Sequence, residues 1–426
     1  MRLLYTFVWI LSLPVVLLRL WMRGRQEPGY RQHISERLGF YPAYPQQKTL
    51  WVHAVSAGET RAAEPLIRAL LARYPQQHLI LSHMTPTGRT TGALLFADVS
   101  GRITQVFVPY DITWMIKRFL RHFSPSVCVL IETEVWPNLV AQCQHFAVPV
   151  ALVNARLSEK SLKKALKLSS LILPAAQAIT CVAAQSGPDA ARLQSLGVHT
   201  LEITGNMKFD VTPPEHMAER GARLRHWLGD RQIFLCASTR DGEEELLLNA
   251  FVANRKANTL LVITPRHPQR FEQVAAMLAQ HQLSFVRRSA MDLDAGENPL
   301  PASVDVVLGD SMGEMYMYYA ACDLAFVGGS LVNLGGHNLI EACAMAKPVM
   351  TGPYTFNFSE ITEQAIAAQA ALRIANPDQL FQQAWSLLDE QATLRNMGQN
   401  AHSFFLQHQG ATSRTMNMLE DVIRIG

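Results

Sequence analysis

Glu59 follows the apolar run Leu50–Val55 in the order Ser56-Ala57-Gly58-Glu59-Thr60, where an amphipathic stretch reaching about Tyr74 begins. A carboxylate at the end of a buried strand can act as a general base, and Gly58 beside it lets a substrate approach closely. The spacing Ser56-x-x-Glu59 is also that of a capping box, in which the acid merely closes the first turn of a helix. Glu132 and Glu134 leave another apolar run, Ser126–Ile131, just ahead of Trp136-Pro137-Asn138. Adjacent acids there suit proton transfer or charge stabilisation, although one of them could cap the helix that Pro137 opens. Lys208, in Gly205-Asn206-Met207-Lys208-Phe209-Asp210, is either a solvated loop lysine or a cation aimed at an anionic leaving group. Asn154-Ala155-Arg156 could bind a phosphate or orient a carboxylate, and reads equally well as a surface turn.

The second half carries a different chemistry. Ala325–Glu341 begins as an apolar run, passes through Gly328, Gly329, Gly335 and Gly336, and continues as a helical pattern from Asn338 to Ala346. Strand, glycine-rich turn and helix present backbone N–H groups and a positive helix end to an anion. Asn338 suits an N-cap with Glu341 three residues on, or Glu341 could accept the hydroxyls of a ribose. Ser238, Pro265-Arg266-His267 and Met312-Gly313-Glu314 stand at the ends of other runs. Amides and an arginine for phosphate, with an acid for ribose, make a nucleotide the expected ligand.

The elements that must position these groups alternate regularly. Strands are expected at Leu50–Val55, His78–Met84, Gln105–Pro109, Ser126–Ile131, Pro149–Val153, Ala178–Ala184 and Leu201–Thr204, with helices between them. Val211-Thr212-Pro213-Pro214-Glu215 breaks the pattern, which restarts at Gln232–Ala237, Thr259–Thr264, Val304–Leu308, Ala325–Gly329 and Pro348–Met350. The expected fold class is α/β, two Rossmann-like domains facing across a cleft, with ligands at the carboxyl ends of parallel strands. The boundaries read as an N-terminal segment over 1–24, a first domain over 25–212 and a second over 213–426. Pro377–Ile425 is expected to be helical throughout and to seal the two domains together.

A chain of 426 residues favours two cores, and 49% hydrophobic with 17% charged residues excludes a disordered chain. A net charge of +3 is too small to argue for nucleic acid, and suits an anionic substrate or membrane surface. Six cysteines without a CxxC pair read as buried reduced thiols, and no HxH or HxxxH spacing occurs, so no catalytic metal is expected. Neither GxxxxGK[ST] nor a first-strand GxGxxG is present, which argues against a kinase and a classical dehydrogenase. Leu3–Trp21 is almost wholly apolar, close to the ~20 residues of a membrane span. Arg19 near its end and Arg23, Arg25 and Arg31 after it put the rest of the chain in the cytoplasm. With no small-residue cleavage site, an uncleaved anchor is expected. A span is the preferred reading, while Pro14 and Arg19 also suit a helix lying in the interface.

Taken together, Ser56–Thr60, Met84–Gly88, Glu132–Asn138, Asn154–Ser158, Lys208–Asp210, Pro265–Pro268, Gly309–Glu314 and Gly335–Asn338 resemble the bacterial 3-deoxy-D-manno-octulosonic acid (Kdo) transferases, nearly end to end. The resemblance implies a GT-B glycosyltransferase that moves Kdo from CMP-Kdo to the lipid A precursor in lipopolysaccharide biosynthesis. It would be attached by its N-terminus to the cytoplasmic face of the inner membrane and would need no cofactor. By the same resemblance Glu59 is the proton acceptor and Glu132 and Lys208 stabilise the transition state. Pro265, Arg266, His267, Met312, Gly313, Glu314, Asn338, Leu339, Ile340 and Glu341 would hold CMP. Leu339-Ile340 departs from the Pro-Leu expected there, with little consequence if backbone groups act.

The chemistry fits that implication. An alcohol needs a base before it attacks, and a phosphate monoester leaves readily if Lys208 and Arg266 balance its charge. Burial would raise the pKa of Glu59 while the helix dipole would lower it, so the net direction is left open. Basic residues after the apolar segment, with Lys117, Arg118 and Arg121, would suit an acceptor in the bilayer. Rival readings are a UDP-sugar transferase, a sugar-nucleotide epimerase and a tethered nucleotide-binding module in which Glu59 only caps.

Overall fold

The computed structural model describes every residue except 46, 294–298 and 426. The chain forms two compact units, Met1–Asp210 with Gln409–Gly426, and Val211–His408. In the first, β1 (Thr49–His53), β2 (His78–His83), β3 (Ile103–Phe107), β4 (Pro125–Ile131), β5 (Val150–Ala155), β6 (Cys181–Ala184) and β7 (Leu201–Ile203) make one parallel sheet ordered β3-β2-β1-β4-β5-β6-β7. All seven strands fall on runs expected from the sequence. The inner strands β1, β4, β5 and β6 were legible because a parallel strand covered on both faces is largely apolar. In β1, side chains alternate between two packed layers. Leu50 and Val52 meet Ala63, Leu66, Ile67 and Leu70 of the helix Ala57–Arg73, and Trp51 meets Ile116, Phe119 and Phe123 on the other face.

The second sheet contains β8 (Gln232–Thr239), β9 (Thr259–Pro265), β10 (Phe285–Arg287), β11 (Val306–Leu308), β12 (Leu324–Val327), β13 (Val349–Thr351) and β14 (Ala371–Arg373), all parallel in the order β10-β11-β9-β8-β12-β13-β14. Sequence reading finds five of these and misses the two edges, β10 and β14. Each is three residues long and partly exposed, and each ends in an arginine. That is how sheet edges are commonly kept from pairing further, and it leaves no apolar run to read.

The break between units falls after Asp210, and the C-terminus corrects the expected boundaries. Pro377–Asp389 and Gln391–His408 belong to the second unit, but the last helix, Ala411–Ile425, returns to the first. Its Met416, Met418, Leu419, Val422 and Ile423 join the core layer of Leu66 and Leu70. Asp210 fixes the return, its carboxylate accepting from the N–H of Gly410 at 2.6 Å and from that of Thr412, while Arg414 Nε donates to Thr204 O at 2.8 Å. A face with five large apolar side chains is stabilised more by that core than by solvent, at roughly 1.5–3 kcal/mol per buried side chain.

The helix Arg2–Arg23 is long and apolar enough to cross a membrane. One flank packs on the first unit: Trp9, Leu13, Val16, Leu17 and Leu20 cluster with Tyr110, Ile112 and Met115, and Asn138 Nδ2 donates to Thr6 Oγ1 at 2.9 Å. Leu3, Leu4, Phe7, Leu11, Val15, Leu18 and Met22 form the opposite, exposed flank.

Candidate functional site

In the first unit the polar groups gather at the carboxyl ends of β1, β4 and β5. Ser56 caps the helix that follows β1, its Oγ accepting from Glu59 N at 3.4 Å. Glu59 reaches back, Oε2 accepting from Val55 N at 2.7 Å and Oε1 from Ser56 Oγ at 3.2 Å. The capping contacts are therefore made, yet the carboxyl group does not behave as a simple cap. Burial, with the charges of Glu134 and Glu132, outweighs those donors and pushes its pKa up to about 7. The direction that sequence reading left open is upward, and Glu59, Glu132 and Glu134 form one acidic cluster.

Neither Glu132 nor Glu134 caps the following helix. Asp111 does so instead, its oxygens accepting from the N–H groups of Asn138 (3.0 Å) and Leu139 (2.8 Å). Glu132 Oε1 pairs with Lys208 Nζ at 3.2 Å, joining residues 76 apart in sequence. Glu134 accepts from Trp136 Nε1 at 2.7 Å, and burial raises its pKa. Glu132 holds a left-handed φ of 61°, uncommon for a side chain with a Cβ. Asn154, at the end of β5, shares this conformation with φ 50°, and its Oδ1 accepts from Met207 N at 3.0 Å. Asn154 thus supports the 3-10 turn Met207–Phe209 that carries Lys208, while no partner meets its buried Nδ2. Arg156 is exposed. Strained backbone at two adjacent strand ends persists because the surrounding contacts over-determine it, which is common where side chains must be aimed.

The second unit assembles cations. Arg240 after β8, Arg266 and His267 after β9, and His337 in the glycine-rich loop lie close enough to act on one another. Burial and the charges of Arg266, Arg240 and His267 push the His337 pKa down to about 4, and no partner meets its buried Nε2. Burial with Arg240 and Arg266 also lowers His267. Two guanidinium groups and two neutral imidazoles, one with an unpartnered buried nitrogen, are arranged to receive an anion. Sequence reading named Arg266 and His267 but overlooked Arg240, whose position at the end of the first strand of the unit was the available signal.

The glycine-rich loop differs from expectation. Its N–H groups converge on a carboxylate of the protein itself, that of fully buried Glu243. Glu243 Oε2 accepts from Gly329 N at 2.7 Å and Arg240 N at 3.2 Å, and Oε1 from Leu331 N at 2.9 Å and Ser330 N at 3.1 Å. The anion these amides bind is internal. A Cβ on Gly328 would stand 2.8 Å from Glu243 Oε2 and 2.9 Å from Ala237 O, and Gly329 has φ +70°, so glycine is required at both. The following helix is also shorter than expected, Ile340–Ala344, with Asn338 Oδ1 accepting from Ile340 N at 3.1 Å. Asn338 therefore closes a local turn instead of opening a long helix. Glu341 lies near Tyr316 and Tyr319, whose hydroxyls burial and its charge push up. Glu314 is committed to Arg220, Arg288 and Ser311, while Met312 is exposed and Gly313 takes φ +78°.

Two parallel seven-stranded α/β units in this arrangement of strands are the GT-B fold. A solved glycosyltransferase from Rickettsia africae ESF-5 shares this fold at TM-score 0.56, with 12% identity over 89% of this chain and 99% of that one. The family model described as "3-Deoxy-D-manno-octulosonic-acid transferase (kdotransferase)" matches residues 32–211. The 3-deoxy-D-manno-octulosonic acid transferase of Bordetella pertussis is 42% identical over 96% of both chains. That of Haemophilus influenzae is 35% identical over 98% of both. The protein belongs to the Kdo transferase family.

Proposed function

We propose that the protein transfers Kdo from CMP-Kdo to a lipid A precursor by single displacement, with inversion at the anomeric carbon. The observation that carries this reading is Glu59, a carboxyl group pushed to about 7 beside Glu132 and Glu134 at the end of β1. A group titrating there takes a hydroxyl proton readily near neutral pH. As the acceptor oxygen bonds to the anomeric carbon, its proton passes to Glu59 and the bond to the CMP phosphate breaks. The bonding electrons leave with the phosphate. Lys208, held by Glu132, and the Arg240–Arg266 group supply positive charge for developing anions. That is charge a divalent ion would otherwise provide, so transfer is expected to proceed in EDTA. Pro265–His267, Met312–Glu314 and Asn338–Glu341 remain the proposed surroundings of CMP, with Glu314 acting through its backbone because its carboxylate is engaged.

In this reading the acceptor is reached at the cytoplasmic face of the inner membrane. The helix Arg2–Arg23 lies in the interface with its outer flank in lipid, because its inner flank is packed against the first unit from Thr6 to Leu20. The test is transfer from CMP-Kdo to a lipid A precursor by purified protein in EDTA, comparing wild type with Glu59→Gln. Wild-type transfer, lost in the variant while CMP still binds, supports the reading. Undiminished transfer by Glu59→Gln would return Glu59 to its capping role. Binding of UDP in preference to CMP would overturn the donor.

A further inference from the structure

The helix Glu159–Lys167 follows β5 and buries none of its residues fully. At about 100° per residue, Lys160, Lys163, Lys164 and Lys167 fall within a stripe about 100° wide on its outer face. Leu162 and Ala165 turn inward to the core beneath. Leu166 and Leu168 are 46% and 54% exposed, so apolar groups border the charged stripe. Several other cations on this unit are held in ion pairs: Arg68 with Glu64 and Asp98, Arg73 with Glu420, Arg89 with Glu36. Among the described residues, none of the four lysines makes an ion pair. Lys164 and Lys167 also complement the helix C-terminus, but Lys160 and Lys163 stand too early for that.

The helix that continues the lysine helix meets the apolar N-terminal helix. The lysine helix runs into the helix Ser169–Gln177, whose Ser170, Leu171 and Pro174 wall a cavity of about 140 Å³ together with Arg2, Pro137 and Ala141. The start of the N-terminal helix thus meets the element that continues the lysine helix. An exposed apolar flank and an adjacent unpaired basic face with leucines at its border match the two layers of an anionic bilayer, acyl boundary and headgroups.

We propose that the lysine face of Glu159–Lys167 is a second membrane contact, which binds anionic lipid headgroups while the outer flank of the N-terminal helix enters the apolar boundary. The proposal rests on reading the N-terminal helix as a membrane contact. The two contacts fix the rotation of the first unit about that helix, which a single anchor leaves open. Acidic proteins or nucleic acid offer charge without an apolar layer, and so leave Leu166, Leu168 and the neighbouring flank unexplained.

The test is flotation of the full-length protein with neutral phosphatidylcholine vesicles and with vesicles containing about a third phosphatidylglycerol, over a salt series. Wild type is expected to bind both and to prefer the anionic vesicles at low salt. The quadruple variant Lys160→Gln, Lys163→Gln, Lys164→Gln and Lys167→Gln should lose about fivefold in anionic-vesicle affinity per lysine and keep its neutral-vesicle affinity. Lys→Arg at all four positions should keep the preference, and both variants should melt as wild type does. A full anionic preference in the glutamine variant would overturn the proposal and leave the N-terminal membrane contact standing. Failure of wild type to bind either vesicle would overturn both. Loss of heparin or duplex DNA binding in the glutamine variant, with vesicle binding unchanged, would reassign the face to another polyanion.

Discussion

Glu59 and Glu243 occupy the same place in two related folds. Each lies in the first turn of the helix after the first strand of its unit, and each of those strands, β1 and β8, lies inside its sheet between the unit's second strand and a later one. At that position the crevice of a doubly wound sheet opens. Glu243 is fully buried and accepts from four backbone N–H groups. Glu59 is partly exposed, accepts from one outlying backbone N–H and Ser56, and has two acids for neighbours. The difference lies in what surrounds the carboxylate. Burial raises the pKa of both; at Glu243 four backbone donors oppose it and leave the group shut in, whereas at Glu59 two neighbouring acids add to it and an open side lets the group exchange protons.

Substituting the two carboxylates in turn separates their roles most strongly. Glu59→Gln should cut turnover about 10²–10⁴-fold and leave CMP affinity within a few-fold, by steady-state kinetics and calorimetry. Glu243→Ala should instead strip partners from three buried amides and that of Arg240 and lower stability by about 3 kcal/mol or more, read by denaturant unfolding. If the two phenotypes were exchanged, the contrast would fail. The pH profile is the next check. Because only the deprotonated Glu59 accepts a proton, kcat/KM should rise with pH through about 7, and this limb should vanish from the residual rate of Glu59→Gln. Linkage gives the opposite sign for stability. The folded pKa is raised from 4.5, so the carboxyl costs stability progressively as pH rises from about 4.5 past 7. The melting temperature of Glu59→Gln should therefore gain on wild type between pH 5 and pH 8. The smallest effect is expected from Glu134→Gln, which removes one of the neighbouring charges. It should move the limb to lower pH by a fraction of a unit.

The legible parts of the molecule were those encoded locally. The inner strands of the first sheet could be read because burial on both faces leaves an apolar run, and Pro137 marked its helix start correctly. Ser56 and Glu59 announced their cap in four residues. What escaped depends on partners far along the chain. Nothing near Glu243 foretells the amides of Gly329–Leu331, 86 to 88 residues later, so the glycine-rich loop was read as open to a ligand. The capping of Asn138 by Asp111, the pairing of Lys208 with Glu132 and the docking of Ala411–Ile425 are of the same kind. Arg240 was missed because an arginine after a strand is unremarkable until Arg266, His267 and His337 are placed around it.

The return of Ala411–Ile425 makes the second unit an insertion within the first. On the ribosome, residues 1–210 emerge with part of one sheet face and a flank of the helix Ala57–Arg73 still uncovered, and wait through nearly 200 further residues for the segment that closes it. At about 5–20 residues per second that wait lasts tens of seconds, with an apolar face open to chaperones or to a neighbouring nascent chain. The first unit to be made is the last to be finished, so quality control of the acid-bearing half is tied to completion of the cation-bearing one.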